Sequence, residues 1–271
     1  MIITEKTAVV TGAGSGIGQA VAVELAERGV AGLGLVDSSE NVLKVARAIN
    51  DRLERPIAEA LIGDVTDAGF RTHAFDLITD KFGVPTICVP CAGILRDQLA
   101  VKMDHQAGKA RVYPIEKFRE ITEVNLTAPT YWALETIARI AEDRHRRGKS
   151  SWSPDEDVQG TIIFIGSVSS HGNTGQVAYA GAKAGLEGVA ATLAKEAMYY
   201  GVRCAVIHPG YTDTPMVRAL GDDYIKKNIL PYTQLHRLIA PAEIADAIYF
   251  LICNSAVSGQ LWADAGWHPT A

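Results

Sequence analysis

A tyrosine and a lysine four residues apart are the first candidates for chemistry in this sequence. Tyr179 and Lys183 are the ends of the segment Tyr-Ala-Gly-Ala-Lys. On a helix, residues at this spacing share one face, so the phenol and the ammonium are expected to be neighbours. A free phenol titrates near pH 10, and a nearby ammonium favours the phenolate, so we expect a lowered pKa. Tyr179 is therefore a candidate general acid and base for an alcohol and its carbonyl.

Taken alone, this pair is more typical of a helix surface than of an active site. Other polar residues, however, accompany it. Ser167 ends a β-rich run, at the strand tip where open α/β sheets bind ligands, and its hydroxyl can donate to a carbonyl oxygen. Asn125 is a polar residue within an otherwise helical pattern. A later strand ends in a histidine, a proline and a glycine, and two threonines follow: His208, Pro209, Gly210, Thr212 and Thr214.

A glycine-rich loop near the start of the chain is a candidate phosphate site. The segment from Thr11 to Gly18 reads Thr-Gly-Ala-Gly-Ser-Gly-Ile-Gly, between a predicted strand and an amphipathic helix. Glycines leave room for backbone N–H groups at the helix start to approach a pyrophosphate. The spacing G-x-x-x-G-x-G is wider than the common dinucleotide fingerprint, so its position between strand and helix carries the argument.

Two acids follow later strands and extend this nucleotide hypothesis. Asp37 closes the second predicted strand, where a carboxylate accepts hydrogen bonds from ribose hydroxyls and repels a 2′-phosphate. It therefore favours NAD(H) over NADP(H). Asp64 is a candidate for the adenine edge. Each acid is alternatively a helix cap, and a methyltransferase can also combine a glycine loop with an acid.

The elements needed to position these residues alternate along the chain. Strands separated by helices predict an α/β fold, with one doubly wound parallel sheet (a Rossmann fold) and helices on both faces. No linker is visible, so residues 1–271 are predicted to form one domain, with surface insertions near 102–113 and 142–159 and a substrate flap near 211–240. Predicted strands are 7–11, 32–37, 58–63, 86–89, 161–165, 203–207 and 260–263, and predicted helices are 16–29, 41–53, 69–82, 114–139, 178–200 and 241–253.

Composition narrows the class of partner. The net charge is −5 and no apolar run approaches the roughly 20 residues of a membrane span, so we expect neither nucleic acid nor membrane as a partner. The start lacks the pattern of a secretory signal, which favours a cytoplasmic protein. A basic cluster at 144–147 precedes acids at 155–157 and indicates a solvated loop. Cys88 and Cys91 have C-x-x-C spacing, yet no second pair exists, so buried thiols are favoured over a redox or metal site.

Taken together, these motifs resemble the short-chain dehydrogenase/reductase family, over nearly the whole chain and in the family's order. The family's catalytic tetrad matches Asn125, Ser167, Tyr179 and Lys183. The resemblance implies that Lys183 also binds the nicotinamide ribose, that Asn125 helps to hold a water in a proton relay, and that Thr212 or Thr214 approaches the carboxamide. It implies cofactor contacts at Gly12, Ser15, Gly16, Ile17, Gly18, Asp37, Asp64, Val65, Cys91, Ala92, Gly93, Tyr179, Lys183, Pro209, Gly210, Thr212 and Thr214.

Within the family, residues 92–97 and 172–176 resemble the 3-oxoacyl-[acyl-carrier-protein] reductases and the related hydroxysteroid and hydroxyacyl-CoA dehydrogenases. The family's usual Asn-Asn-Ala-Gly reads Pro90-Cys91-Ala92-Gly93 here, and Tyr200 stands where the bacterial reductases have a basic residue for the carrier protein. The expected reaction is hydride transfer between NAD(H) and a small secondary alcohol or ketone. The alternatives are a 3-oxoacyl thioester (carrier protein or CoA) reductase using NADPH, and a non-catalytic NAD-binding member. Relatives imply a homotetramer or homodimer.

Overall fold

The computed structural model describes residues 1–267. The last four residues of the predicted domain lie outside the described part. The chain forms β1 (Thr7–Thr11), α1 (Gly16–Glu27), β2 (Gly32–Asp37), α2 (Asn41–Leu53), β3 (Ala58–Ile62), α3 (Ala68–Phe82), β4 (Pro85–Pro90), β5 (Val101–Asp104), β6 (Lys109–Val112), α4 (Ile115–Thr122), α5 (Ala128–Arg146), β7 (Gly160–Ile165), α6 (Val177–Glu196), β8 (Val202–Pro209), α7 (Pro215–Arg218), α8 (Asp222–Asn228), α9 (Pro241–Cys253) and β9 (Gly259–Ala263).

Seven strands form one parallel sheet in the order β3-β2-β1-β4-β7-β8-β9. The first three strands run outward in one direction from β1, and the later strands run outward in the other from β4. Between β1 and β4 the strand order therefore reverses, which is where open parallel sheets bind ligands beyond their carboxyl ends. The predicted doubly wound α/β fold is confirmed.

Side chains of alternate strand residues fill an apolar layer on each face of the sheet. Val10 and Leu35 point to the face covered by α1, α2 and α9, whereas Val9 and Phe164 point to the face covered by α3, α5 and α6. Strands buried on both faces explain why the sequence shows continuous apolar runs there. Cys88 packs in the second layer and Cys91 against the first, and both thiols are free.

The two predicted insertions have defined conformations. Residues 101–112 form an antiparallel hairpin of β5 and β6, with Val101 opposite Val112 and Met103 opposite Ala110. In the second insertion, the helix α5 extends to Arg146, so the first part of that segment is helical. Arg144 is 1% exposed, and its guanidinium lies 3.0 Å from the Glu156 carboxylate. This ion pair holds the rest of the insertion against the end of α5.

One helix prediction needs correction. Residues 114–139 were expected to form a single helix, but α4 ends at Thr122 and α5 begins at Ala128. A π-helical turn, Glu123–Thr127, lies between them and contains Asn125. Turns of this type are rare and are frequently found at functional sites. Among residues 1–267, no helix has both the length and the apolar content of a membrane span.

Candidate active site

Two cavities meet at the carboxyl ends of the strands. The larger has a volume of about 430 Å³ and extends from the glycine loop to Tyr179 and Lys183. The smaller has a volume of about 120 Å³ and is lined by Ser167, Tyr179 and the start of the predicted flap. Five residues line both cavities: Ile17, Ile165, Tyr179, Thr214 and Met216. The tyrosine therefore stands at the junction between a long groove and a small chamber.

The glycine loop has the shape of a phosphate cradle. Gly12 and Gly16 adopt φ values of +64° and +56°, a conformation that side chains disfavour. A Cβ on Gly18 would lie 2.2 Å from the Gly12 carbonyl oxygen, so only glycine allows α1 to start this close to β1. The loop thus brings the N-terminus of α1 to the floor of the larger cavity, where the helix dipole favours an anionic group.

Asp37 is built into this loop. Its Oδ2 accepts a hydrogen bond from the Gly14 N–H at 2.8 Å, and its Oδ1 accepts one from the Ser39 N–H at 2.9 Å. The N-cap of α2 is Glu40, so Asp37 does not cap that helix. Two carboxylate oxygens provide about four acceptor positions, of which two are used here. The remaining lone pairs are available to ribose hydroxyls in the larger cavity, which Asp37 lines.

Asp64 and Val65 lie on the wall of the same cavity. The Asp64 carboxylate accepts hydrogen bonds from the Thr66 N–H at 2.9 Å and from the Thr66 hydroxyl at 2.8 Å. The cap of α3 is Asp67, whose side chain accepts from the Phe70 N–H. Asp64 therefore shapes the turn at the adenine end of the predicted nucleotide groove and does not cap α3.

The predicted catalytic groups converge at the junction of the cavities. Lys183 is 5% exposed, and its Nζ donates to the Ile165 carbonyl at 2.8 Å. The same Nζ lies 5.7 Å from the centre of the Tyr179 ring. The Ser167 side chain acts on the Tyr179 phenol and lowers its pKa, and the Ser167 Oγ accepts the Ser169 N–H at 3.0 Å. Because the serine oxygen accepts from the backbone, its own hydrogen is free to be donated.

The pKa of Tyr179 differs from the sequence prediction. Burial raises the pKa of Tyr179 to about 12, although the Ser167 hydroxyl acts in the opposite direction. Burial also lowers the pKa of Lys183 to about 8. Desolvation disfavours the charged form of both groups and is the largest cause of both shifts. In the protein alone, the pKa of the phenol therefore lies above its ordinary value, opposite to the lowering expected beside an ammonium.

Asn125 acts on the loop opposite the tyrosine. Its Nδ2 donates to the Ile94 carbonyl, and its Oδ1 accepts the Ile94 N–H, both at 2.9 Å. A Cβ on Gly93 would lie 3.1 Å from the Asn125 Oδ1 and 4.0 Å from the Lys183 Nζ. The buried amide thus fixes the segment after β4, which borders both the larger cavity and Lys183. Its predicted contact with a relay water stays a prediction.

The remaining predicted cofactor residues are distributed over the two cavities. Pro209, Gly210 and Thr212 line the smaller one, and Thr214 lines both. A Cβ on Gly210 would lie 2.6 Å from the Asp264 carbonyl, which explains glycine after the proline. The larger cavity also brings together the predicted residues Gly12, Ser15, Gly16, Ile17, Gly18, Asp37, Asp64, Val65, Cys91, Ala92, Gly93, Tyr179 and Lys183.

Sequence reasoning missed several wall residues. Most of those in the larger cavity are adjacent in sequence to a predicted residue, and this adjacency could have identified them. They are Ser38, Gly63, Ile94, Val124, Ile165 and Pro215. In the smaller cavity, Val168 directly follows Ser167 and Val217 lies within the predicted flap, whereas Leu95 had no such signal. From the predicted flap, Tyr211, Met216 and Val217 reach a cavity wall, whereas Leu220, Tyr224 and Leu235 are exposed.

A doubly wound sheet, a glycine-loop groove and a Tyr-Lys-Ser cluster at its end define an oxidoreductase of the dinucleotide-binding class. The family model described as short chain dehydrogenase matches residues 6–225, and the chain belongs to this family. It is an NAD(P)-dependent oxidoreductase that acts on CH–OH and carbonyl groups, which confirms the predicted family and enzyme class.

Relatives cover almost the whole chain. The 3-oxoacyl-[acyl-carrier-protein] reductase of Escherichia coli K12 is 35% identical over 252 residues, covering 93% of this chain and 91% of that protein. The reductase of the same name from Vibrio cholerae serotype O1 is 34% identical over 257 residues, covering 94% and 93%. A solved structure of ribose-5-phosphate isomerase from Brucella melitensis 16M superposes with a TM-score of 0.80 at 29% identity, covering 98% of this chain and 93% of that one.

Proposed function

We propose that this enzyme transfers a hydride between NAD(H) and a secondary alcohol or ketone, with Tyr179 as the general acid and base. The observation that carries the proposal is the position of Tyr179, which lines both the nucleotide-shaped groove and the small chamber beside Ser167. A nicotinamide bound in the groove would supply or accept the hydride. The protein then has to bind the substrate oxygen and move one proton, and the cluster contains the groups for both tasks.

Each polar group of the cluster has a separate role in this proposal. The Ser167 hydroxyl donates to the substrate oxygen, since its Oγ already accepts the Ser169 N–H. Tyr179 gives its proton to that oxygen during reduction and takes it back during oxidation. Lys183, held by the Ile165 carbonyl, presents a cation to the phenol from the side of the groove. A positively charged nicotinamide near the phenol would offset the burial that holds the pKa of Tyr179 near 12.

The groove favours NAD over NADP. Its acids are Asp37 and Asp64, at the end remote from Tyr179, and its lining within residues 1–267 contains one cation, Lys183, at the tyrosine end. A 2′-phosphate would meet the Asp37 carboxylate without a nearby cation to balance its charge. At Gly12, Gly16 and Gly18 a side chain would strain or fill the loop, and its absence leaves room for a pyrophosphate.

The small chamber favours an uncharged reacting group with apolar neighbours. Among the described residues, those lining it include no lysine, arginine or histidine, and its apolar wall includes Leu95, Val168, Met216 and Val217. We therefore propose a ketone or alcohol whose carbon substituents are apolar. A 3-oxoacyl thioester meets this description, and the names of the bacterial relatives support it as the second candidate.

A phosphorylated sugar fits the chamber less well. The isomerase activity named for the Brucella structure belongs to that protein, and its substrate carries a dianionic phosphate. The lining of the chamber offers no side-chain cation to such a group within residues 1–267. A Tyr-Lys-Ser cluster beside a dinucleotide groove supports redox chemistry instead.

Assembly into a homodimer or homotetramer remains part of the proposal. Family resemblance places the contacts on α4, α5 and α6. The exposed apolar residues Phe118 on α4 and Tyr131 and Leu134 on α5 support this, since such side chains are often covered by a partner. Light scattering after size exclusion would test it, and a monomer at micromolar concentration would contradict it.

The catalytic proposal is tested by absorbance at 340 nm. NAD is offered with a panel of secondary alcohols, and NADH with ketones and 3-oxoacyl thioesters. Tyr179→Phe is expected to lower kcat by at least about a hundredfold while the dissociation constant of NAD stays within about threefold. Tyr199→Phe is the matched control, because Tyr199 is 56% exposed at the end of the same helical segment.

Two outcomes would count against the proposal. Full turnover by Tyr179→Phe on an accepted substrate would remove the tyrosine from the mechanism. Tight NAD binding without turnover across all three substrate classes would favour the non-catalytic alternative. Faster turnover with NADPH and a 3-oxoacyl thioester than with any simple ketone would establish the second candidate.

A further inference from the structure

A buried histidine lies directly behind the serine of the catalytic cluster. His208 is 0% exposed at the end of β8, beside the loop that follows β7. Its Nδ1 is 3.2 Å from the Ser167 backbone nitrogen and 3.2 Å from the Ser167 carbonyl oxygen. The imidazole therefore contacts the main chain of Ser167 and leaves the hydroxyl to the chamber.

The preceding glycine makes this contact possible. A Cβ on Gly166 would lie 2.5 Å from the His208 Nδ1 and 2.7 Å from its Cε1. The Gly166 N–H also donates to the Ile207 carbonyl at 2.7 Å, which docks the loop on the end of β8. The backbone of Gly166 and Ser167 thus rests on the ring with no side chain between them.

An aromatic platform fixes the ring from its other side. His208 is paired with Trp262 of β9 in the strand register. The two rings stack with centres 4.1 Å apart and an angle of 10° between their planes. Trp262 also contacts the ring of His171 at 4.7 Å, and His171 ends the short turn that begins after Ser167. The serine loop is therefore tied to the same platform at two points.

A carboxylate lies beside the other nitrogen of the ring, beyond hydrogen-bond distance. Glu187 lies on α6, four residues after Lys183, and its Oε1 is 3.9 Å from the His208 Nε2. Gln260 donates to the other oxygen of Glu187 at 3.1 Å. Burial lowers the pKa of His208, so the ring is neutral near pH 7. The nearby carboxylate favours the proton on Nε2, and Nδ1 then accepts the Ser167 N–H.

We propose that His208 is a positioning residue that sets the orientation of Ser167 in the reaction, with Glu187 selecting its tautomer. The inference rests on the proposed function, in which Ser167 donates to the substrate oxygen. Two hydrogen bonds then set the orientation of Ser167: its N–H donates to His208, and its Oγ accepts the Ser169 N–H. With both fixed, the hydroxyl hydrogen is directed toward Tyr179 and the chamber. Loss of the first contact would let the loop turn and misalign the donor.

Two amide substitutions separate this role from simple filling of space. In His208→Asn, the amide group reaches the position of Nδ1 and can still bond the Ser167 backbone. In His208→Gln, the amide reaches the position of Nε2 and leaves Ser167 without its partner. We expect kcat for the best substrate to fall about tenfold in His208→Gln and to stay within about threefold of wild type in His208→Asn. The dissociation constant of NAD is expected to change less than twofold in both.

A double-mutant cycle tests whether the histidine acts through the serine. In a Ser167→Ala background, His208→Gln is expected to cost less than twofold in residual kcat, because no hydroxyl remains to be oriented. Equal kcat values for wild type and His208→Gln, or the same tenfold loss with and without Ser167, would overturn the inference. Absence of turnover in the wild-type enzyme would instead refute the proposed function.

A second variant covers the case in which His208→Gln melts below the assay temperature. Glu187→Gln leaves the ring in place and removes only the charge that selects its tautomer. We expect kcat to fall about threefold, with no further loss in the Ser167→Ala background. Full activity of Glu187→Gln, or a threefold loss that persists unchanged in the Ser167→Ala background, would overturn the inference without any measurement on His208→Gln.

Discussion

Replacement of Asp37 by asparagine isolates the charge that we propose selects NAD. The carboxylate accepts N–H groups of Gly14 and Ser39 at 2.8 and 2.9 Å, and an amide oxygen can keep one of these bonds. No lysine or arginine lines the ribose end of the groove among residues 1–267, so the charge of Asp37 is unbalanced there. Asp37→Asn therefore removes one negative charge with little change in shape.

The size of the effect follows from Coulomb's law. Two like charges about 4 Å apart repel by about 1 kcal/mol in water and by about 4 kcal/mol at an effective dielectric near 20. Asp37 is half-buried, so the lower part of this range applies. Since 1.4 kcal/mol is a factor of ten, we expect wild type to bind NAD at least about tenfold tighter than NADP. In Asp37→Asn the ratio is expected to shrink by about tenfold.

The assay is a titration of each dinucleotide by protein fluorescence or calorimetry at fixed ionic strength. Asp64→Asn is the matched control, because this acid lies in the same groove at the adenine end and adenine is common to both cofactors. It is expected to weaken both ligands and to leave their ratio unchanged. Equal affinities in wild type, or an unaltered ratio in Asp37→Asn, would refute the electrostatic argument.

Two further predictions concern buried charges. Arg144→Ala is expected to lower the free energy of unfolding in urea by about 3 kcal/mol, because Glu156 loses its partner and the insertion loses its anchor. Arg147→Ala removes an exposed ion pair and is expected to lower the free energy of unfolding by less than about 1 kcal/mol. An equal cost for both would contradict the anchoring role. Lys183 has a pKa of about 8 in the folded protein and 10.5 in the unfolded chain, so between these values the folded protein binds fewer protons. The free energy of unfolding of wild type, relative to that of Lys183→Met, is therefore expected to rise by up to about 3 kcal/mol between pH 8 and 10.5. A pH-independent difference would show that the amine is not desolvated.

Much of the architecture was predictable because local signals and the fold agreed. The glycine loop, the alternation of strands and helices and the order of Asn125, Ser167, Tyr179 and Lys183 all indicated one family. Each depends on residue type and spacing, which the sequence contains directly. The reversal of strand order then brought the predicted residues to one edge of the sheet.

The parts that escaped prediction depend on burial and backbone geometry. The π-helical turn at Asn125 shifts the helix register by one residue, which a period of 3.6 does not reveal, although an isolated polar residue was visible there. The alternation of Val101, Lys102, Met103 and Asp104 is a strand pattern, but four residues are too few to stand out. The raised pKa of Tyr179 reflects desolvation, which the spacing of tyrosine and lysine does not encode.

The wall shared by the two cavities has a consequence for how such an enzyme can diversify. Thr214 and Met216 border both the groove and the chamber, so a substitution there changes the recognition of both ligands at once. Leu95, Val168 and Val217 border the chamber alone. Substitutions at these three positions can therefore change which alcohol the enzyme accepts while its affinity for the dinucleotide is retained. Mutant libraries for a new substrate are best confined to them.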